Sequence, residues 1–165
     1  MNLIDELGDL ALATRLVRLS EMCRRDVTRI YKEHHLDFKA KWFPVLYVLS
    51  KKSPLSVLEL ADEIGYAPPS VIALVKEMQS QKLVKSVVDK SDGRKRMLSL
   101  TPKALAMFGE FKPLWDDFHA INAVIFNHGG LLRAVEHAEA ALREESFYDR
   151  YMKLAVRRIQ RRKRE

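Results

Sequence analysis

The chain has 165 residues and a formal net charge of +7, which is long enough for a domain with a real core. No apolar run approaches the roughly 18 residues of a membrane span, and the early residues Asp5, Glu6 and Asp9 are unlike those of a signal peptide. We therefore expect a cytoplasmic protein with no membrane partner. Cys23 is the only cysteine, which excludes an intramolecular disulfide and a cysteine-based zinc site within one chain.

The positive charge is concentrated in two stretches. Residues 157–165 contain six basic side chains and one acid, and residues 68–96 contain seven against three. A local surplus of this kind is better evidence for nucleic-acid binding than the global charge. The run from Arg157 to Arg164 is interpreted as a solvated tail, and phosphate contact is the alternative.

Residues 3–33 have the pattern of one long helix with two apolar stripes. The first stripe contains Leu12, Leu16, Leu19, Cys23, Val27 and Ile30, and the second contains Leu3, Leu7, Leu10 and Val17. A helix that is apolar on more than one side needs cover on more than one side. We therefore expect a second subunit to pack against it. A short helix from about Ala40 to Leu49 follows, with Pro44 in or near its first turn.

Residues 56–81 have the signals of two helices joined by a tight turn. Ser56 and Glu59 form an S-x-x-E capping box, and Gly65 ends the first helix. The second helix, over 68–81, opens at Pro68-Pro69. Its core side is predicted to contain Val71, Leu74, Val75 and Met78. The opposite side carries Pro69, Ala73, Lys76 and Ser80, is flanked by Ser70 and Ile72, and would face a major groove.

Two β-rich runs follow, Leu83 to Val88 and Arg96 to Leu100, and the loop between them is polar and basic. Gly93 allows a tight bend there, and positive charge gathers at the edge of the loop. A basic hairpin of this kind can reach phosphates or a narrow minor groove. The order of helix, turn, helix and hairpin is that of a winged helix-turn-helix.

The run D-K-S-D-G-R-K-R-M-L-S-L-T after this motif resembles the wing of the multiple-antibiotic-resistance regulator (MarR) family. Asp92, Arg94 and Leu100-Thr101 match the family pattern, as does the upstream E-L-A-x-x-I-G. The resemblance implies that Arg94 enters the minor groove and that Asp92 orients it. It also implies an aromatic effector in a crevice that Trp42, Phe43 and Tyr47 could line, although plain core packing is the favoured alternative for these aromatic residues.

One departure from the family is the pair Ile72-Ala73, where Thr, Ser or Arg is usual. Neither side chain can hydrogen-bond to a base edge, although both can touch a thymine methyl. Direct readout would then depend on Ser70, Lys76 and the wing, so we expect a modestly specific, shape-weighted binder. Burial of Ile72 against another part of a dimer is the alternative. The candidate DNA-binding residues are Pro69, Ser70, Ile72, Ala73, Lys76, Lys90, Arg94, Lys95 and Arg96.

The remaining chain is predicted to be helical. Thr101-Pro102 has the pattern of a helix start, and Pro113 should kink this helix near residues 109–111. Asn127 to Gly130 ends it. A last helical segment runs from Leu131 to about Gln160 and either bends or divides at residues 144–146.

The sequence shows no catalytic or cofactor motif. It has no glycine-rich phosphate loop or dinucleotide fingerprint, and His119, His128 and His137 lack tight metal-ligand spacing. Cys23 lies on an apolar stripe, where inert packing is favoured over redox sensing. We therefore expect neither an enzyme nor a cofactor.

The predicted protein is mostly α-helical, a single domain over 1–165 with a small β-hairpin wing. The winged helix-turn-helix occupies 36–101, and the dimerisation helices occupy 1–35 and 102–165. Its function would be that of a homodimeric regulator that binds double-stranded DNA through a recognition helix (68–81) and a wing (89–96). A winged-helix module that binds protein instead of DNA is the alternative.

Overall fold

The computed structural model of the protein describes residues 2–89 and 91–162. The chain forms two compact units, residues 1–108 and 109–165, and the described part is mostly helical with a small antiparallel sheet. The helices are α1 (Leu3–Glu6), α2 (Leu12–Glu33), α3 (Phe43–Lys51), α4 (Val57–Ile64), α5 (Pro68–Ser80), α6 (Pro102–Ala106), α7 (Phe108–Ile125), α8 (Gly130–Glu144) and α9 (Phe147–Arg162). The strands are β1 (Leu55–Ser56), β2 (Val84–Val88) and β3 (Arg96–Leu100).

The prediction of one helix over 3–33 is wrong at its beginning. The short helix α1 is followed by a 3-10 turn, Gly8–Ala11, before α2 begins. Gly8 adopts a left-handed φ of +53°, a conformation that an α-helix does not contain and that glycine adopts at little cost. Asn2 and Asp5 form a capping box at the start of α1. Asp5 also forms an ion pair with Arg18 of α2. The break therefore lets the chain fold back so that α1 contacts α2.

The helix-turn-helix forms as predicted. At the start of α4, the Ser56 backbone N–H donates to Glu59 Oε2 at 2.7 Å, and the Glu59 N–H donates to Ser56 Oγ at 3.3 Å. Gly65 ends α4 with a left-handed φ of +75°, and α5 begins at Pro68. Each of these features is local, so the sequence could place both helices without knowledge of the tertiary structure.

The sheet has the strand order β1-β3-β2. Strands β2 and β3 pair from Val84↔Leu100 to Val88↔Arg96, as the predicted hairpin requires. The prediction lacked β1, whose two residues pair with Leu98 and Met97. A strand of two residues is too short to show the alternation that identifies strands in sequence.

The core of the first unit lies where α3, α4 and α5 pack on one another and on the sheet. It includes Val45, Leu46, Leu49, Leu60, Ala61, Val71, Val75, Met78, Leu98 and Leu100, all of which are buried. Leu74 was predicted to be in this core but is only half-buried. Beside the core, the Phe38 ring packs edge to face against Tyr31 and Trp42, with ring centroids 5.3 Å and 5.6 Å apart.

The C-terminal helices begin after the hairpin. Thr101 caps α6, with its hydroxyl accepting from the Ala104 N–H at 3.3 Å. The predicted kink near residues 109–111 is instead an interruption at Met107, so that Pro113 lies early in α7. Proline disturbs the turn that precedes it, and Gly109 in that turn is a weak helix former.

The rest of the second unit contains the predicted helix ends. Residues 126–129 form a turn in which Asn127, His128 and Gly129 have positive φ. Helices α8 and α9 are separate, because Ser146 caps α9 through the Asp149 N–H at 3.1 Å. None of the helices in the described residues is long and apolar enough to cross a membrane.

Candidate nucleic-acid interface

Helix α5 has three differently occupied sides. Val71, Val75 and Met78 are buried in the core. All of the predicted groove-facing residues of the helix, Pro69, Ser70, Ile72, Ala73, Lys76 and Ser80, are exposed. Ser70, Ala73, Leu74 and Glu77, however, line a cleft beside α2. With 100° per residue, the side that points away from both core and cleft is centred on Pro69, Ile72 and Lys76.

The wing is ordered by Asp89, a residue for which the sequence predicted no role. Its Oδ1 accepts from the Ser91 N–H at 2.7 Å and the Asp92 N–H at 2.9 Å, and also from the Ser91 hydroxyl. The Ser91 hydroxyl and these two backbone N–H groups lower the pKa of the Asp89 carboxyl. Two backbone bonds close the loop, Asp89 N–H to Lys95 O and Lys95 N–H to Asp92 O, both at 2.9 Å.

Asp92 contacts Arg94 as the prediction for the wing requires. Its Oδ1 accepts from the Arg94 backbone N–H at 3.1 Å and from Arg94 Nε at 3.3 Å. The Arg94 side chain is nevertheless 93% exposed, so Asp92 holds the guanidinium at Nε while the side chain remains open to solvent. This geometry suits an arginine that reaches toward an anionic groove.

The other basic wing residues lie beside Arg94. Lys95 and Arg96 are exposed, and Arg96 Nε donates to Ser86 Oγ across the hairpin at 3.1 Å. The predicted DNA-binding residue Lys90 lies outside the described residues. The wing therefore presents three described cations in consecutive positions at its edge.

Glu77 links α5 to the segment before α3, a connection that the sequence did not predict. Its Oε1 accepts from Lys39 Nζ at 2.6 Å, and its Oε2 accepts from Lys41 Nζ at 2.6 Å and Trp42 Nε1 at 3.1 Å. The two lysines lower the pKa of the Glu77 carboxyl to about 2. This cluster fixes one side of the recognition helix to the segment Ala40–Trp42.

A cleft of about 640 Å³ lies between α2 and the start of α5. Its lining consists of Arg24, Lys41, Gly65, Tyr66, Ala67, Ser70, Ala73, Leu74 and Glu77. Arg24 Nη2 donates to the Tyr66 hydroxyl at 3.3 Å, so a side chain of α2 reaches the turn of the helix-turn-helix. A smaller cavity of about 340 Å³ is lined by Arg24 and Lys41 as well.

The aromatic residues predicted for an effector pocket line neither cavity. Trp42 is 1% exposed and packs against Phe38. Phe43 and Tyr47 form a tilted ring pair at 5.5 Å, and Tyr47 is partly exposed. Core packing, which the sequence favoured for these three, describes Trp42.

The described residues contain no group of three or more His, Cys, Asp or Glu side chains that could hold a metal ion. Cys23 is half-buried on α2.

Comparison with known proteins identifies a family model and solved structures that are similar to this chain. Residues 36–95 match the sequence model of the MarR family, and no curated protein sequence matches the chain. The structure of the S. aureus MepR–DNA complex is similar, with a TM-score of 0.67, 14% identity, and coverage of 79% of this chain and 96% of that one.

Two further solved structures agree with it. The transcriptional repressor CouR, bound to a 23-mer DNA duplex, has a TM-score of 0.64 and 21% identity, and covers 81% of this chain and 96% of its own. The regulator BldR from Sulfolobus solfataricus has a TM-score of 0.61 and 19% identity. The alignment covers 87% of this chain and 99% of BldR. At these identities the likeness establishes a shared fold: the chain is a winged helix-turn-helix protein, and its residues 36–95 match the MarR family.

Proposed function

We propose that the protein is a homodimeric transcriptional regulator that binds double-stranded DNA, inserting α5 into the major groove and Arg94 of the wing toward the minor groove. The observation that carries the proposal is the exposure of the outer side of α5 together with the exposure of the Arg94 side chain. The DNA complexes of MepR and CouR, which share the fold, support it. Such a regulator has no enzymatic activity and works in the compartment that holds the DNA, which we expect to be the cytoplasm.

The proposal of a homodimer rests on uncovered apolar side chains at both ends of the chain. Leu3, Leu10 and Val17 in the first unit are 73%, 85% and 63% exposed. Helix α9 exposes Phe147, Tyr148, Tyr151, Leu154, Val156 and Ile159. Soluble proteins seldom leave so much apolar surface in contact with water. A second copy of the chain would cover it and would set the distance between two recognition helices.

A twofold dimer implies a twofold operator. Two copies of α5 would enter successive major grooves about one helical turn apart, so the half-sites would be centred about 10 base pairs from each other. The 23-mer bound to CouR spans about two turns, which is a suitable length for a first probe.

Fluorescence anisotropy over a range of salt concentrations tests DNA binding. The logarithm of affinity should fall linearly with the logarithm of salt concentration, because each neutralised phosphate releases counterions. Arg94→Ala should weaken specific binding by about 1–3 kcal/mol and reduce the slope by about 1. The matched control is Lys112→Ala, which removes an exposed cation of α7 that is paired with Asp116. An Arg94→Ala protein with unchanged affinity and slope would remove Arg94 from the interface.

Response to an effector is part of the proposal, with the site moved to the cleft beside α5. Arg24, Tyr66 and Ser70 offer hydrogen-bond donors there, and about 640 Å³ is a usual size for a small-molecule pocket. A small aromatic acid is the ligand class we propose, and it would act by favouring one placement of α5 relative to α2. Release of bound DNA by benzoate-type compounds, lost in Arg24→Gln, tests this. Equal release from both proteins would place the ligand elsewhere.

The second candidate function is a module that binds another protein. Exposed apolar Ile72 in the middle of the recognition helix favours it. Binding that requires a protein partner and is insensitive to salt would support this candidate and contradict the proposal above.

A further inference from the structure

The outer side of α5 presents an apolar side chain where a base-reading residue is expected. Ile72 is 40% exposed, whereas Val71 and Val75 beside it are buried. The helix is thus well packed, and Ile72 is exposed because it lies at the edge of the outer side, about 60° from Val75 in helical projection. Ile72 is the fifth residue of α5, and recognition helices contact base edges with their N-terminal residues.

The neighbours of Ile72 leave it as the main apolar contact of this side. Pro69 and Ala73 have no polar side-chain atoms. The Ser80 hydroxyl donates to the Glu77 backbone O at 2.7 Å, so Lys76 is the exposed residue of this side that can donate a hydrogen bond to a base. Ser70 and Glu77 are turned to the cleft, and both carboxylate oxygens of Glu77 already accept from Lys39, Lys41 and Trp42. Apolar contact is therefore what this helix offers to a major groove.

The major groove has one apolar feature, the C5-methyl group of thymine. We propose, building on the DNA-binding function above, that Ile72 contacts the C5-methyl group of a thymine in each half-site and sets the preference for thymine at that position. The β-branched side chain is stiff in a helix, so it presents a fixed apolar surface.

Replacement of thymine by deoxyuridine isolates this contact. Deoxyuridine lacks the methyl group and keeps every hydrogen-bonding atom of the base. In a duplex selected for binding, each thymine of a half-site is replaced in turn, and affinity is measured by anisotropy. One position in each half-site should respond. Binding should weaken about fourfold when that thymine is replaced in one half-site, and about fifteenfold when it is replaced in both.

Variants of Ile72 connect the effect to this residue. Ile72→Val keeps an apolar β-branched surface and should retain sensitivity to deoxyuridine. Ile72→Ser carries a hydroxyl and no methyl group, so it should lose most of the sensitivity while its salt slope stays unchanged. The control is Val87→Ser, the same type of change at an exposed position of β2, which should leave the sensitivity intact.

Each outcome has a distinct meaning. A protein that binds no duplex at any salt concentration overturns the proposed function and this inference with it. A protein that binds with the expected salt slope but ignores deoxyuridine at every position overturns the inference alone. The inference also fails, with the proposed function left standing, if Ile72→Ser and Ile72→Val respond equally to the missing methyl group.

Discussion

Glu77 provides the most direct test of how the recognition helix is fixed. Its carboxylate on α5 accepts from Lys39, Lys41 and Trp42. Glu77→Gln keeps the shape of the side chain and an acceptor for Trp42, but it removes the negative charge that attracts the two lysines. The free energy of unfolding should therefore fall, and DNA affinity should fall with it if the cluster holds α5 in position.

The size of the loss can be worked out from the pKa. The lysines lower the pKa of Glu77 from 4.5 to about 2, and complete conversion of that difference corresponds to about 3 kcal/mol. The side chains of Lys39 and Lys41 are 50% and 44% exposed, so solvent screens the interaction. We expect Glu77→Gln to lose about 1–2 kcal/mol at neutral pH.

The pH dependence has a defined sign. Because the folded-state pKa of Glu77 lies below its value in the unfolded chain, the ionised carboxylate stabilises the fold above pH 4.5. This contribution decreases as pH falls from 4.5 through 2, and it is lost below pH 2, where the carboxyl is protonated in both states. The difference in unfolding free energy between the native protein and Glu77→Gln should therefore shrink over that range.

Urea unfolding at several pH values measures this difference. Asp116→Asn is the matched control, because Asp116 forms a single ion pair with Lys112 on an exposed surface of α7 and should change stability little. Equal stabilities for Glu77→Gln and the native protein at pH 7, or a difference that stays constant down to pH 2, would refute the reasoning about the cluster.

Three other predictions concern the turn, the wing and the tail. Gly65→Ala should lose about 1–2 kcal/mol of unfolding free energy, because Gly65 has a left-handed φ that alanine adopts at a cost. The added methyl group would meet open space, so the loss comes from the backbone alone. Thermal unfolding measures this loss. Asp89→Ala removes the acceptor for the Ser91 and Asp92 N–H groups, so hydrogen exchange at both amides should accelerate and DNA affinity should fall. Deletion of residues 157–165 should reduce the salt slope of DNA binding if these residues contact phosphates, and an unaltered slope would assign them to solvent.

The local features of the fold could be predicted because their causes lie within a few residues. The capping box at Ser56, the left-handed Gly65 and the opening of α5 at Pro68 each depend on near neighbours in sequence. The same holds for the pairing of β2 with β3. The break at Gly8 was missed because the apolar periodicity of the first 33 residues continues across it.

The parts of the site that could not be predicted depend on distant residues. Glu77 and Lys39 are 38 positions apart, and no short-range pattern links them. Ser70 and Ala73 lie on or beside the outer side of α5 in a helical projection, but the position of α2 makes them walls of a cleft. Trp42 could have been surface or core in sequence, and its indole N–H found an acceptor in Glu77.

Selection of bound DNA from a random duplex pool, at one stated salt concentration, tests the central claim most directly. We predict enrichment of an inverted repeat whose half-sites are centred about 10 base pairs apart, with a thymine fixed in each half-site. Failure to enrich any sequence, or enrichment of one half-site by a chain that sediments as a monomer, would contradict the claim that a twofold pair of α5 helices and wings binds an operator.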